Sequence, residues 1–380
     1  MKVEKLSYDT DIKAYFEYLG VDSGGISILA SKAKVHLIAI KDMHVGAANI
    51  LKQDALSIGA DLAVPRGTVI AKEPRVECLL IASTKELEVL ARKELAQPFG
   101  LKELAKELKD IAHLKKPLKT EIMGVINAND DSFFSGSRFK NSDAVKRVEK
   151  MIEEGAHIID IGAVSSRPNA PVVSASEELE RITPILDLIQ KEKLFEKITF
   201  SIDSYEPKVI AKAMDAGFRI VNDITGLSND EVCRIAAQNS AKVVIMHMQG
   251  SPQDMQKNPI YDDIADDLYT FFEERISKAE GFGIKDIVLD VGIGFGKTLE
   301  HNLLLLKNLE NFLRLKRELL VGASRKSMID KIFPSRTEDR LAGTLALHLE
   351  AVKNGASIIR AHDIYEHAQA LKVQEALLKA

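Results

Sequence analysis

Downstream of residue 120 the chain repeats one pattern: a short aliphatic run, a polar loop, then an amphipathic stretch with helical spacing. The aliphatic runs are 121–126 (EIMGVI), 157–162 (HIIDIG), 198–203 (ITFSID), 219–223 (RIVND), 242–247 (KVVIMH), 286–290 (DIVLD), 318–322 (ELLVG) and 357–361 (SIIRA). Helices are predicted at 143–154, 175–190, 207–215, 229–238, 262–281, 301–313, 337–353 and 363–378. Gly155, Gly217 and Gly355 follow predicted helix ends, where a left-handed residue closes the last turn. Consecutive apolar residues within a strand mean burial on both faces, as in a parallel sheet covered by helices. Eight such units in about 260 residues fit a closed (β/α)8 barrel. A doubly wound open sheet is the competing arrangement, and it rarely needs eight regular repeats.

The first part of the chain has a different rhythm. Runs 35–41 and 77–82 read as strands, and 45–57, 84–95 and 100–112 as helices, the second opening at Ser83-Thr84. A basic, proline-containing joint at 113–120 ends it. The expected organisation is an N-terminal α/β region over residues 1–115 and a barrel over 119–380. No catalytic constellation stands out in the N-terminal region, where His44 and Cys78 read as structural.

Composition narrows the partners. Apolar residues make up 46% and charged residues 28%, the balance of a globular domain with a sizeable core. A net charge of −4 argues against general nucleic-acid binding but leaves room for a local anion pocket. The two cysteines, Cys78 and Cys233, lack metal-ligand spacing and read as buried thiols in a reducing compartment. The N-terminus carries no signal-peptide run and no stretch reaches membrane-span length, so a cytoplasmic protein is expected.

Candidate chemistry collects at one end of the repeated strands. Read to their C-terminal ends, the runs give Asn127, Asp160, Asp203, Asn222, Met246-His247, Asp290, Arg325-Lys326 just beyond the seventh, and Arg360 with His362. In a barrel these ends converge on one mouth, where active sites are built. A single polar residue there would be an ordinary cap; eight are not. Asp203, Asn222 and Asp290 suit the N–H edge of an aminopyrimidinone ring, since buried carboxylates need donors. Arg167, Arg325, Lys326 and Arg360 suit phosphate or carboxylate oxygens. The loops 127–141 and 162–173 are long for βα connections, as lids and binding loops are, and Phe133, Phe134 and Pro168 could cover a flat ring.

Other motifs read as structural. The run from Val291 to Thr298 (VGIGFGKT) resembles a phosphate-binding loop, but a Walker pattern would need glycine in place of Val291. Lys326 could form a Schiff base, yet its charged surroundings favour ion pairing. His247 and His362 lack zinc-ligand spacing; His247 reads as a wall residue and His348 as structural.

Along 121–378 these residues resemble the dihydropteroate synthase family. Asn127-Ala-Asn-Asp-Asp131-Ser132-Phe133 is similar to the family's N-x-T-P-D-S-F, and Asp160-Ile-Gly-Ala-Val-Ser-Ser166-Arg167-Pro168 to its D-I-G-G-E-S-T-R-P. S-I-D-S at Asp203, N-D-I at Asn222, M-H-M-Q-G from Met246, D-x-G-I-G-F-G-K from Asp290, G-A-S-R-K-S ending at Ser327 and I-I-R-A-H-D with Arg360 and His362 follow in order. Asn129-Asp130 replaces Thr-Pro, Ala163-Val164 replaces Gly-Glu, and Ser166 replaces Thr. These departures touch loop closure and rate rather than pterin recognition.

The resemblance implies a sulfonamide-targeted enzyme of folate synthesis that joins a dihydropterin diphosphate to p-aminobenzoate. It implies that Asp203, Asn222, Asp290 and Lys326 bind the pterin, with Met246 and Arg360 against its ring. Asn127 would contact Mg²⁺, while Ser166, Arg360 and His362 would hold the diphosphate. Ser327, Phe295, Phe133 and Pro168 would form the p-aminobenzoate site, and Asp131 and Arg167 would act from the two loops. A homodimer is expected. A methyltetrahydrofolate:corrinoid methyltransferase-like domain and a non-catalytic pterin-binding paralogue are the alternatives.

Overall fold

The computed structural model describes residues 1–128, 141–164 and 173–379. The chain divides into two compact units, Met1–Lys115 together with the residues from Glu375, and Lys116–Gln374.

The N-terminal unit runs α1 (Ile12–Tyr18), α2 (Ser23–Ala33), β1 (Val35–His44), α3 (Val45–Leu56), β2 (Asp61–Ala63), β3 (Arg75–Ser83), α4 (Thr84–Lys93) and α5 (Leu101–Ala112). Its three strands form an antiparallel sheet in the order β1-β3-β2. Strand β3 alternates exposed and buried residues, and Val76, Cys78, Leu80 and Ala82 join Leu51, Leu87, Leu90 and Leu101 in one core. The start of α4 is fixed by a reciprocal cap, in which Glu86 N donates to Ser83 Oγ and Ser83 N donates to the Glu86 carboxylate. Helices α1 and α2 and strand β2 had no counterpart in the sequence reading. The two helices bury no residue, and β2 is three residues long.

The second unit alternates strand and helix: β4 (Glu121–Asn127), α6 (Asn141–Glu153), β5 (Ile158–Gly162), α7 (Ala175–Lys191), β6 (Thr199–Asp203), α8 (Pro207–Asp215), β7 (Ile220–Asp223), α9 (Asp230–Gln238), β8 (Lys242–Met246) and α10 (Ile264–Gly281). It continues with β9 (Ile287–Asp290), α11 (Leu299–Lys307), β10 (Glu318–Val321), α12 (Ser327–Ile332), α13 (Leu341–Lys353), β11 (Ile358–Ala361) and α14 (Ile364–Lys379). Strands β4 to β11 close into a parallel eight-stranded barrel, β11 pairing with β4. Inward-facing Met123, Ile158, Ile220, Val244, Val288, Leu320 and Ile358 plug its interior, while the outward residues pack beneath the helices.

Two predicted helices needed correction. The one at 301–313 is α11 followed by a separate tight helix, Leu309–Leu315, because Asn308 leaves the α conformation at φ −107° and ψ 21°. The one at 337–353 begins as a short tight turn at Thr337–Asp339, and α13 starts only at Leu341. The short α12 preceding them was not anticipated. Gly155, Gly217 and Gly355 do carry positive φ. Both cysteines are free and buried. No described helix is long and apolar enough to cross a membrane.

Candidate active site

Parallel closure brings the strand ends to a common mouth, and there Arg360 is the hub. Its Nε donates to Asp160 Oδ2 and its Nη2 to Asp203 Oδ2, each at 2.6 Å. Asn222, beside Asp203 in the β6–β7 register, donates to the same Asp160 oxygen at 3.1 Å. Asp160 is fully buried, so this arginine and amide compensate a charge that would be costly alone. Burial raises the Arg360-bound Asp203 carboxyl above its ordinary range; Arg360 opposes that shift, and Asp160 and Glu178 add to it. Burial also lowers the tendency of Arg360 to stay charged, but Asp160 and Asp203 outweigh it and hold the guanidinium protonated.

Asp290, at the end of β9, accepts Gly292 N–H at 2.8 Å, and burial pushes its carboxyl up against that bond. The glycines that follow are steric necessities. Gly292 has φ +65°, and a Cβ there would lie 2.0 Å from the carbonyl oxygen of His247; at Gly296 (φ +60°) it would lie 2.5 Å from that of Gln249. The VGIGFGKT run thus folds against the loop after β8. Lys297, 1% exposed, locks the two together by donating to His247 Nδ1, His247 O and Phe295 O at 3.0, 3.2 and 2.9 Å. Burial draws Lys297 down to about 7 and, with Lys297 beside it, His247 down to about 2. His247 is the wall residue anticipated, and Lys297 is a tether the sequence reading missed. Met246 and Phe295 sit together with Ile224 and Met255 in an apolar cluster. Lys326 holds its ammonium 4.1 Å from the centre of the Phe295 ring.

One sequence-derived assignment changes. Arg325 was grouped with cations for a ligand anion, but it is committed to Asp363, with Nε 3.1 Å from Oδ2 and Nη2 paired to Oδ1. The resemblance sets His362 with Ser166 and Arg360 on the diphosphate. Burial, followed by Arg360 and Arg325, takes His362 down to about 4, so it is neutral at pH 7. Its Nδ1 lies 2.9 Å from Ser324 Oγ, which also accepts the His362 amide at 3.3 Å. Asp160 stands among the strand ends but not among the residues the resemblance assigns to the site; its bonds to Arg360 and Asn222 make it a buried anchor of the mouth. Asn127 ends β4 in register with Gly162, and Ser327 opens α12. Asp131, Phe133, Ser166, Arg167 and Pro168 lie outside the described residues.

A parallel barrel whose mouth joins buried carboxylates and an amide to an arginine and a lysine is a pterin-binding enzyme in class, and the profile of the family described as "Pterin binding enzyme" matches residues 123–362. The bifunctional dihydropteroate synthase/dihydropteroate reductase of Helicobacter pylori is 41% identical over 377 residues, covering 99% of each chain. The dihydropteroate synthase of Escherichia coli is 42% identical over 262 residues, 68% of this chain and 92% of its own. The solved synthase of Yersinia pestis in a sulfonamide drug complex superposes with a TM-score of 0.64 at 36% identity, covering 69% of this chain and 95% of that one. That of Thermus thermophilus in complex with 4-aminobenzoate does so with a TM-score of 0.61 at 35% identity, covering 68% and 95%. The chain belongs to the dihydropteroate synthase family. The corrinoid methyltransferase alternative is not favoured.

Proposed function

We propose that the barrel mouth condenses 6-hydroxymethyl-7,8-dihydropterin diphosphate with p-aminobenzoate, giving 7,8-dihydropteroate and diphosphate, with the residue roles that follow. The carrying observation is the Arg360 hub, which sets Asp160, Asp203 and Asn222 beside Asp290 as a buried acceptor floor. That floor complements the N–H edge of a pterin, whose donors supply what the buried carboxylates lack. Met246, clustered with Phe295, is the apolar side chain for the ring face, and Lys326 stands over Phe295 within electrostatic reach of Asp290.

The reaction forms a C–N bond from the arylamine to the pterin methylene and breaks the methylene C–O bond. The electron pair of that bond leaves with diphosphate, and the amine proton is released. An arylamine needs no strong base, so the residues act by orientation and charge. Arg360 and Lys326 stabilise the anion that develops, and neutral His362 can donate a hydrogen bond to it. The carboxylates Asp203 and Asp290 favour electron release from the ring toward the methylene. Ser327 and Phe295, with Phe133 and Pro168, form the p-aminobenzoate side.

No group of three His, Cys, Asp or Glu among the described residues could hold a metal by itself. A single amide oxygen, Asn127 at the end of β4, suits Mg²⁺, which commonly takes one or two protein ligands and fills its shell from substrate phosphates and water. When bound there, the ion would neutralise charge on the departing diphosphate. Release of diphosphate in a coupled assay with the two substrates tests the whole reading; pterin binding without turnover would refute it in favour of a silent paralogue.

A second activity is supported by the extent of one match. The Helicobacter pylori relative named as a reductase as well is matched over 99% of this chain, N-terminal unit included, whereas the Escherichia coli synthase is matched over 262 residues. We infer that the full chain also reduces dihydropteroate, a hydride from an external donor adding to C6 and a proton to N5. Tetrahydropteroate formation with reduced nicotinamide or dithionite is the measurement, and no product with either would overturn it.

A further inference from the structure

Behind the mouth, α13 and α14 each contribute a histidine that the reaction above does not use. His348 and His367 are both 1% exposed, and His348 Nδ1 lies 2.8 Å from His367 Nε2. The proton positions follow from the ends of the chain. The amide of Ala323 can only donate, and it does so to His348 Nε2 at 3.0 Å. Neutral His348 therefore carries its proton on Nδ1 and donates it to His367 Nε2. His367 in turn carries its proton on Nδ1, 2.5 Å from the carbonyl oxygen of Asp363. Burial lowers the pKa of both rings, and a cationic ring would present a proton toward a neighbouring donor.

The ends of this wire lie in two loops of the mouth. Ala323 stands in the loop after β10, which leads to Lys326 and Ser327. Asp363 follows His362 in the loop after β11, and its carboxylate grips Arg325. Hydrogen bonds run from Ala323 through His348 and His367 to Asp363 and from Asp363 to Arg325, and the backbone between Ala323 and Arg325 closes the circuit that joins the two loops. The circuit has something to restrain, because Arg325 sits at φ +55°, a left-handed conformation that disfavours a non-glycine residue. Thr344 Oγ1 accepts the Arg325 amide at 2.9 Å, and Arg340 donates to its carbonyl at 3.2 Å.

We propose that His348 and His367 are positioning residues, a neutral imidazole pair that fixes the Lys326–Ser327 loop against the His362–Asp363 loop after β11. The proposal rests on the synthase reading for its consequence, but the wire itself does not. Without the pair, the pterin floor on β5, β6, β7 and β9 stays in place. The alignment of the two loops that flank the leaving group and the second substrate is lost.

Two measurements on the full chain test this. Long-range proton–nitrogen NMR should find both rings neutral at pH 7 with the proton on Nδ1; a proton on Nε2 of His348, or a cationic ring, would overturn the wire. In kinetics, His348→Phe and His367→Phe should each lower kcat by about 10-fold, leave affinity for a pterin without diphosphate within about 2-fold, and not add in the double variant. His367→Gln, which can accept from His348 and donate to Asp363, should recover most of kcat. A fall in melting temperature with kcat per folded molecule unchanged, or an equal loss of pterin affinity, would make the pair a plain core element. Should the phenylalanine variants fail to fold, the tautomers and His367→Gln still decide the matter. A wild-type chain without synthase turnover would instead overturn the synthase reading, and with it the positioning role, while the tautomers would still report the wire.

Discussion

Asp203 and Arg360 meet at 2.6 Å across the barrel mouth, carboxylate oxygen against guanidinium nitrogen, although they stand 157 residues apart in the chain. Asp203→Asn would replace a charged acceptor by an amide and turn one N–H toward Arg360. Pterin affinity should fall by about 10- to 100-fold, the equivalent of a charge-assisted hydrogen bond worth on the order of 1.5–3 kcal/mol. Calorimetry with a pterin ligand is the check, and unchanged affinity would remove Asp203 from the floor.

The burial that shapes this site also makes it sensitive to acid. Asp203 and Asp290 both have carboxyls raised by burial, so they take up protons at higher pH than ordinary aspartates. Because the bound pterin needs them as acceptors, its affinity should decline on acidification before that of a site with exposed carboxylates. Binding titrations from pH 8 down to about pH 4, bracketing the ordinary aspartate range, would show the decline. A pterin affinity flat over that range would contradict the role of the two carboxylates.

The barrel itself was legible because each strand is short, aliphatic and followed by a polar end. Closure then forces Asp203, Asn222, Asp290 and Arg360 together whatever their sequence separation. What escaped were relations between side chains. Nothing local to Arg325 shows that Asp363 claims it, or that His348, about two turns into α13, meets His367 in the next helix. Lys297 reads as structural once the Walker pattern fails at Val291, but the sequence does not show what it holds. Only the approach of the His247 carbonyl, which leaves no room for a side chain at Gly292, reveals the packing function. Helices α1 and α2 went unseen for a simpler reason: they bury no residue, so no apolar stripe marks them.

Gly292→Ala is expected to be far more damaging than its size suggests. The methyl would overlap the His247 carbonyl in a conformation that already disfavours alanine. Strain and displacement together should cost on the order of 2–4 kcal/mol, and the Asp290–Gly292 turn would move with it. Urea denaturation and pterin binding should both register the change; a variant with wild-type stability would show that the two loops are not packed as described.

Glu94 in the N-terminal unit provides a stability test with a definite sign. It is fully buried near Asp54, neither of its oxygens accepts a hydrogen bond from a described residue, and burial, aided by Asp54, takes it from 4.5 to about 7. A carboxyl whose folded pKa is raised contributes its full stability below the unfolded value and loses it as pH rises through the folded value. The window is therefore pH 4.5 to about 7. Glu94→Gln removes the penalty, so its melting temperature should exceed wild type at pH 8 and converge with it near pH 4. A difference that is the same at both pH values would mean that Glu94 does not titrate in this window.

Arg360→Ala separates the two halves of the site. The substitution strips Asp160 of its ion pair and leaves it the single Asn222 donor, so the buried aspartate is expected to take up a proton rather than remain an isolated charge. Asp203 and Asn222 remain to hold a pterin, which should bind more weakly but measurably. The anion side has no such reserve. Arg325 pairs with Asp363 outside the floor, and burial keeps His362 low, so losing Arg360 removes the cation on which the diphosphate role chiefly rests. In wild type, Mg²⁺ with diphosphate should bind and raise affinity for p-aminobenzoate when a pterin is present; in the variant that coupling should vanish and turnover should fall by at least about 100-fold. Calorimetric titration of p-aminobenzoate with and without Mg²⁺-diphosphate, in both proteins, is the measurement. Coupling that survives the loss of Arg360 would place the diphosphate on residues other than this hub.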